Sequence, residues 1–249
     1  ISMNVGNDIA CIGTGNFHEG NAKMYTDALL MTSNKVLTVE VNSVMNFIEK
    51  PYTQPKFKEL LVSPNDMKSR FITLINNEIK NKQSGKPAYI KVKVNHITDE
   101  QIILKLYEAS ANNVPIELVV RGNCSIVPEI KGLSDNITIN GIIDRYLEHS
   151  RIFIFANGGD EKVFIGSADW MPRNLNSRVE VITPVYDPKI KADLIRIVNY
   201  GIMDTTQGRI VDGKGTNKLL MTKKNELFRS QEELYKYYKD EYNCRTTKG

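Results

Sequence analysis

Glu148-His149-Ser150-Arg151-Ile152-Phe153-Ile154-Phe155, followed by Asn157-Gly158-Gly159-Asp160 and then Lys162-Val163-Phe164-Ile165-Gly166-Ser167-Ala168-Asp169-Trp170, is the stretch from which the rest of the chain can be read. Successive side chains of an extended run point to opposite sides, so His149 and Arg151 share a face and can meet one phosphate. Asn-Gly-Gly-Asp carries the chemistry of a tight reversal, which predicts a hairpin that brings Gly166 and Ser167 back towards His149. Glycine lets an anion approach the backbone, and serine adds a hydroxyl donor. The competing reading is a buried hairpin that merely begins with a histidine, and the rest of the chain weighs against it.

Near the start, Ile12-Gly13-Thr14-Gly15-Asn16 repeats the pattern of Ile165-Gly166-Ser167-Ala168-Asp169: aliphatic, glycine, hydroxyl, small, then Asp or Asn. Asp27 follows Gly13 at the same offset of 14 residues at which Glu180 follows Gly166. Each carboxylate falls inside a candidate strand, residues 23–30 and 178–182. A shared pattern plus a spaced acid points to an internal duplication. The first copy should then have its own histidine strand upstream of residue 1. The opening Ile1-Ser2-Met3-Asn4-Val5 has no initiator Met and reads as the inside of a strand, which suggests a piece of a longer protein.

With 249 residues, 41% hydrophobic and 25% charged, the chain is long enough for one large or two modest globular domains. The net charge of +4 permits an anionic partner, but 33 basic against 29 acidic residues is too even to imply nucleic acid. Cys11, Cys124 and Cys244 are odd in number and widely spaced, which supports neither a disulfide framework nor a zinc site and fits a reducing cytoplasm. No apolar run approaches the length of a membrane span.

Between the two copies, residues 34–55 read as a polar boundary segment ending in Pro51 and Pro55. Residues 56–62 read as a strand, and Ser63-Pro64 as the capped start of a helix carrying Met67, Phe71, Leu74, Ile75 and Ile79 at helical spacing. A strand over 89–95, a helix over 102–112, a strand over 116–120 and a helix from Asp187-Pro188 through Ile195 complete an α/β alternation with a central sheet. Asn95 and Arg121 close two of these strands, at the ends where ligands collect in such sheets. His18 and His96 read as ordinary loop or strand-end residues. The lysine-rich tail from Gly213, with a solvated helix around Glu232 to Tyr238, is assigned no chemistry.

A His-x-Arg strand followed by Gly-Ser-x-Asp, with a second copy of the latter pattern, resembles the phospholipase D superfamily. That resemblance implies an α/β fold, phospholipase D-like domains with a central mixed β-sheet flanked by helices. Within it the motifs Tyr25-Thr26-Asp27, Val120-Arg121-Gly122-Asn123, Leu147-Glu148-His149-Ser150-Arg151 and Gly166-Ser167-Ala168-Asp169-Trp170-Met171-Pro172-Arg173-Asn174-Leu175 look like the C-terminal half of long, histidine-phosphorylated bacterial polyphosphate kinases. The resemblance covers about residues 1 to 210. Cys11 and His18 depart from it, standing where the family often has His and Asn.

That family implies reversible transfer of the ATP γ-phosphate to polyphosphate, with Mg²⁺, through a phosphohistidine that lies upstream of this chain. Tyr25, Arg121 and His149 match positions that contact ATP, with His149 also a general acid. Arg151 and Ser167 are the further phosphate donors. Glu180 is the carboxylate expected behind the imidazole of His149, and Asp27 its counterpart in the first copy. No metal-ligating residue is assigned. Residues 1–55 are expected to be the remnant of the first phospholipase D-like domain, and 56–249 the second domain with its tail. The partners implied are ATP or ADP, polyphosphate, the missing N-terminal domains of the same chain and further copies of the full-length parent. The expected location is cytoplasmic, with peripheral membrane association of the parent left open. The chain alone should be catalytically dead for want of the nucleophile. The rival readings are a phospholipase D-like phosphodiesterase or nuclease, which Arg151 in place of a lysine disfavours, and a non-catalytic polyphosphate-binding module.

Overall fold

In the computed structural model, residues 2–4, 9–221 and 226–246 are described; residues 222–225 of the lysine-rich tail lie outside them. The first elements are strands β1 (Ser2–Asn4) and β2 (Ile9–Gly13), a one-turn helix α1 (Glu19–Ala22), strands β3 (Tyr25–Thr26) and β4 (Leu29–Thr32), and helix α2 (Lys35–Glu49). Strands β1, β2 and β4 pair antiparallel in that order. The segment read as a polar boundary is thus mostly helix. Leu37, Val41, Val44 and Phe47 recur three or four residues apart and are all buried, which is a core-facing stripe, and Asn34 caps it by accepting from the amides of Val36 and Leu37.

The rest of the chain builds one large sheet, with β9 set apart to pair with β3. Its elements are β5 (Leu61–Ser63), α3 (Met67–Gln83), β6 (Ile90–Val94), α4 (Glu100–Ala111), β7 (Ile116–Val120), β8 (Ile137–Ile142), β9 (Leu147–Glu148), β10 (Ile152–Phe155), β11 (Lys162–Gly166), α5 (Pro172–Asn176), β12 (Glu180–Val185), α6 (Pro188–Met203), β13 (Gly208–Ile210) and α7 (Ser230–Thr246). Eight strands lie in the order β13-β8-β7-β6-β10-β11-β12-β5. The β6-β7-β8 neighbours are parallel and the others antiparallel, so the mixed α/β sheet expected from the sequence is present.

β10 lies at the centre of this sheet, and all four of its residues are buried, as a strand covered on both faces requires. Phe153 and Phe155 join Phe71 and Ile75 of α3 and Leu106 of α4 in one core, while Ile152 and Ile154 join Leu194 and Val198 of α6 in another. Phe71, Phe153 and Trp170 pack with ring centroids 4.8 to 5.5 Å apart. Truncating a buried ring of this kind to alanine costs about 3–5 kcal/mol. The predicted hairpin forms, with Ile152 opposite Ile165 and Phe155 opposite Lys162.

Three local expectations are corrected. Ser63 is the last residue of β5, held extended by pairing with Glu180 of β12, and α3 begins only at Met67 after a turn. The strand expected over residues 23–30 is broken at Asp27-Ala28, because β3 and β4 pair with different partners. His149 and Arg151 lie on the link between β9 and β10 rather than in the strand itself.

Candidate active site

Two remote segments meet in a short parallel ribbon. Tyr25 and Thr26 of β3 pair with Leu147 and Glu148 of β9, and the amide of His149 donates to the carbonyl of Thr26 at 3.3 Å. The ribbon delivers Asp27 to the imidazole, with Asp27 Oδ1 2.9 Å from His149 Nδ1. A carboxylate at this position accepts, so Nδ1 carries the hydrogen and Nε2 is left for chemistry. Thr14 Oγ1 donates to the same carboxylate oxygen at 2.9 Å. Burial pushes the Asp27 carboxyl upward, but the bond and charge of His149, then Thr14 and Arg151, outweigh it and hold the group below its ordinary range.

Arg151 Nη1 is 3.2 Å from Nδ1 and 3.1 Å from Nε2 of His149. Near-equal distances to both ring nitrogens place the guanidinium over the ring face rather than in line with either lone pair. The Tyr25 ring packs on the same imidazole, centroids 4.8 Å apart. Asp169 grips Arg151 through Nε at 3.3 Å and Nη2 at 3.1 Å, a forked pairing that fixes the guanidinium plane. Asp169 also accepts from the amide of Asn95 at 2.7 Å, and Asn95 in turn accepts from Arg121 Nε at 3.0 Å. One chain of bonds therefore positions both arginines. Burial and the like charge of Arg151 lower the proton affinity of Arg121.

Beneath the ribbon, Glu148 ties four elements together. It accepts from Lys93 of β6, from Thr26 of β3 at 3.0 Å and from Gln231 of α7 at 2.6 Å. Lys93 and Glu148 are 4% and 5% exposed, so this is a fully buried ion pair whose remaining valences are satisfied. Burial alone would raise the Glu148 carboxyl, yet Lys93 and the two other donors hold it low. The tail helix, to which the sequence reading assigned no chemistry, thus braces the strand that leads into His149.

Tyr25, Arg121, His149 and Arg151 are brought together, but Glu180 is not. Its oxygens are taken by Ser167 Oγ and by Asn174 Nδ2, the latter at 2.5 Å, so the carboxylate behind His149 is Asp27 and not Glu180. The reason lies in the duplication. Thr14 bonds Asp27 and accepts the amide of Ala28, just as Ser167 bonds Glu180 and accepts the amide of Val181. Gly13 pairs with Leu29 and Gly166 with Ile182 in matching registers. The first copy's carboxylate serves the second copy's histidine. Ser167 and Glu180 instead face Gly13, Gly15 and Phe17 across a cavity of about 410 Å³. Ser167, predicted as a phosphate donor beside His149, is committed to Glu180.

His18 caps α1, accepting from the amide of Gly20 at 3.1 Å, an ordinary role as expected. His96, read as an ordinary strand-end residue, directly follows Asn95 at the carboxyl end of β6, and the charges of Asp169, Arg121, Arg173 and Arg151 all act on its ring.

Fold and site together define an α/β protein whose histidine-arginine cluster is assembled from two copies of one sequence pattern. Comparison narrows this. The family described as Polyphosphate kinase C-terminal domain 2 matches residues 60–231, and Polyphosphate kinase C-terminal domain 1 matches residues 3–54. The chain is 44% identical over 243 residues to the polyphosphate kinase of Vibrio parahaemolyticus, covering 96% of this chain and 35% of that protein. To the polyphosphate kinase of Escherichia coli K12 it is 43% identical over 230 residues, covering 92% and 33%. The crystal structure of polyphosphate kinase from Porphyromonas gingivalis matches with a TM-score of 0.89 at 37% identity, covering 98% of this chain and 38% of that one. The chain belongs to the polyphosphate kinase family, and it spans about a third of the length of the curated relatives it matches.

Proposed function

We propose that this chain is the C-terminal catalytic portion of a polyphosphate kinase. In this reading the complete protein transfers the γ-phosphate of ATP reversibly to polyphosphate through a phosphohistidine contributed by the preceding part of the chain. The observation that carries the reading is the Asp27-His149-Arg151 arrangement, with Tyr25 on the imidazole and Arg121 held alongside. Phosphoryl transfer needs positioning and fixed positive charge more than covalent work by the protein. Arg121 and Arg151 supply that charge on a guanidinium framework already ordered by Asp169 and Asn95. His149, with its tautomer fixed by Asp27, presents Nε2 to carry a proton to the leaving oxygen. The boundary near residue 55 between a first and a second phospholipase D-like unit is supported by the two family matches and by the separate three- and eight-stranded sheets.

Mg²⁺ enters this reading bound to the nucleotide. Among the described residues no group of three or more His, Cys, Asp or Glu side chains is placed to hold a metal. Asp27, Glu148, Asp169 and Glu180 are all engaged by donors within the chain. We further place the parent in the cytoplasm as an oligomer; among the described residues no helix is long and apolar enough to cross a membrane.

The test uses the full-length parent with γ-labelled ATP and Mg²⁺. Acid-labile, base-stable label on protein together with label in long acid-insoluble polymer is the expected result, with the polymer lost in His149→Ala. Cleavage of a phosphodiester substrate with neither signal would replace the kinase by a hydrolase.

A further inference from the structure

His96 follows β6 directly, and its position is set at both ends. Its amide lies 3.4 Å from Asp169 Oδ1, and its carbonyl accepts from the amide of Trp170 at 3.2 Å. The Nδ1–Cε1 edge of the ring lies against the turn after β7: a Cβ on Gly122 would meet its Cε1 at 2.4 Å and its Nδ1 at 2.6 Å, so glycine is what allows this approach. The amide of Asn123 donates to His96 Nδ1 at 2.9 Å. A backbone N–H can only donate, so Nδ1 is the acceptor nitrogen and the neutral ring carries its hydrogen on Nε2. This is the opposite tautomer to that of His149.

The neighbours decide what that hydrogen is for. Asp169 holds both the His96 backbone and Arg151, and Arg121 and Arg173 act on the ring as well. Burial first, and then these three guanidinium charges, lower the proton affinity of His96 against the pull of Asp169. The ring is a neutral donor inside a cationic cluster, where the complementary ligand is an anion rich in acceptor oxygens.

We propose that His96 is a further phosphate-contacting residue, donating through Nε2–H to a phosphoryl oxygen held by Arg121 and Arg151. The proposal rests on the phosphoryl-transfer reading and adds a ligand contact to it. A neutral donor at this point adds a directional hydrogen bond without a fourth full charge, so it grips the phosphate chain while adding little to product retention.

Two substitutions separate the two nitrogens. In His96→Asn the amide oxygen can replace Nδ1 as acceptor for Asn123, but nothing replaces Nε2–H. In His96→Gln the amide nitrogen reaches the Nε2 position and restores a donor. Binding of ADP and of inorganic tripolyphosphate to the full-length parent is measured by calorimetry, with melting temperature as the control for folding. The expected result is a loss of affinity of roughly 10- to 100-fold for His96→Asn, and a loss below about fivefold for His96→Gln, both melting close to the parent. Wild-type affinity in His96→Asn, or equal losses in the two variants, would overturn the proposal. Arg121→Ala separates the two readings. If it binds both anions normally, the site reading itself fails; if it is weakened while His96→Asn is not, only the role of His96 fails.

Discussion

Asp27 and His149 stand 122 positions apart in the chain, yet Asp27 Oδ1 lies 2.9 Å from His149 Nδ1. The contact joins the two copies of the internal repeat. It exists because β3 and β9 pair, and it makes the imidazole of the second copy dependent on the carboxylate of the first. Asp27→Asn keeps the shape but no longer enforces the tautomer. In the full-length parent we expect turnover to fall about 10²- to 10⁴-fold, with nucleotide affinity changed far less. Steady-state kinetics beside calorimetric binding is the check, and turnover within threefold of the parent would remove Asp27 from the mechanism.

Glu180 occupies the equivalent place in the second copy, with Ser167 and Asn174 holding its oxygens. In the proposed reading, the histidine that it serves belongs to the first copy, in the preceding part of the parent. Glu180→Gln should therefore lower turnover in the complete protein by roughly 10- to 100-fold while leaving nucleotide binding near normal. The sharper signature is a reduced rate of label uptake onto protein in a rapid-quench experiment; an unaltered rate would leave Glu180 a structural residue.

The Lys93-Glu148 pair predicts a stability phenotype. Lys93→Met leaves Glu148 buried without its cation, which should cost about 3–5 kcal/mol in a denaturant titration. The double variant Lys93→Met with Glu148→Leu removes the orphaned charge, and more than half of the loss should return. Additive losses would show that the pair is not coupled.

Glu78 predicts a pH dependence. It is 1% exposed and accepts the amides of Tyr89 and Asn157, and burial pushes its carboxyl up to about 7 against those bonds. A raised carboxyl pKa means that the folded state binds the proton more tightly than the unfolded state. Stability must then fall as the pH rises from about 4.5 to about 7, by at most on the order of 3 kcal/mol from this group. Urea midpoints at pH 5 and pH 8 test it: Glu78→Gln should flatten the fall, and an unchanged slope would assign it to other groups.

Much of this protein is legible in its residues. The α/β alternation, the hairpin after His149, and the repeat with its spaced acids follow from periodicity and turn chemistry because each depends on neighbours a few positions away or on a recurring pattern, whereas Tyr25 and Arg121 are marked as ATP contacts only by the family resemblance. What sequence reasoning misplaced depends on long-range pairing. The break at Asp27-Ala28 and the extended Ser63 are imposed by strand partners far along the chain. The exchange of carboxylates between the copies, the brace from Gln231 of α7 to Glu148, and the inclusion of His96 in the cationic cluster follow from how the sheets and the β3-β9 ribbon meet. Local sequence determined which groups were available for phosphate chemistry; only the tertiary structure decided which of them face one another, since hydrogen bonds act over about 3 Å and cannot be read across 122 residues of chain.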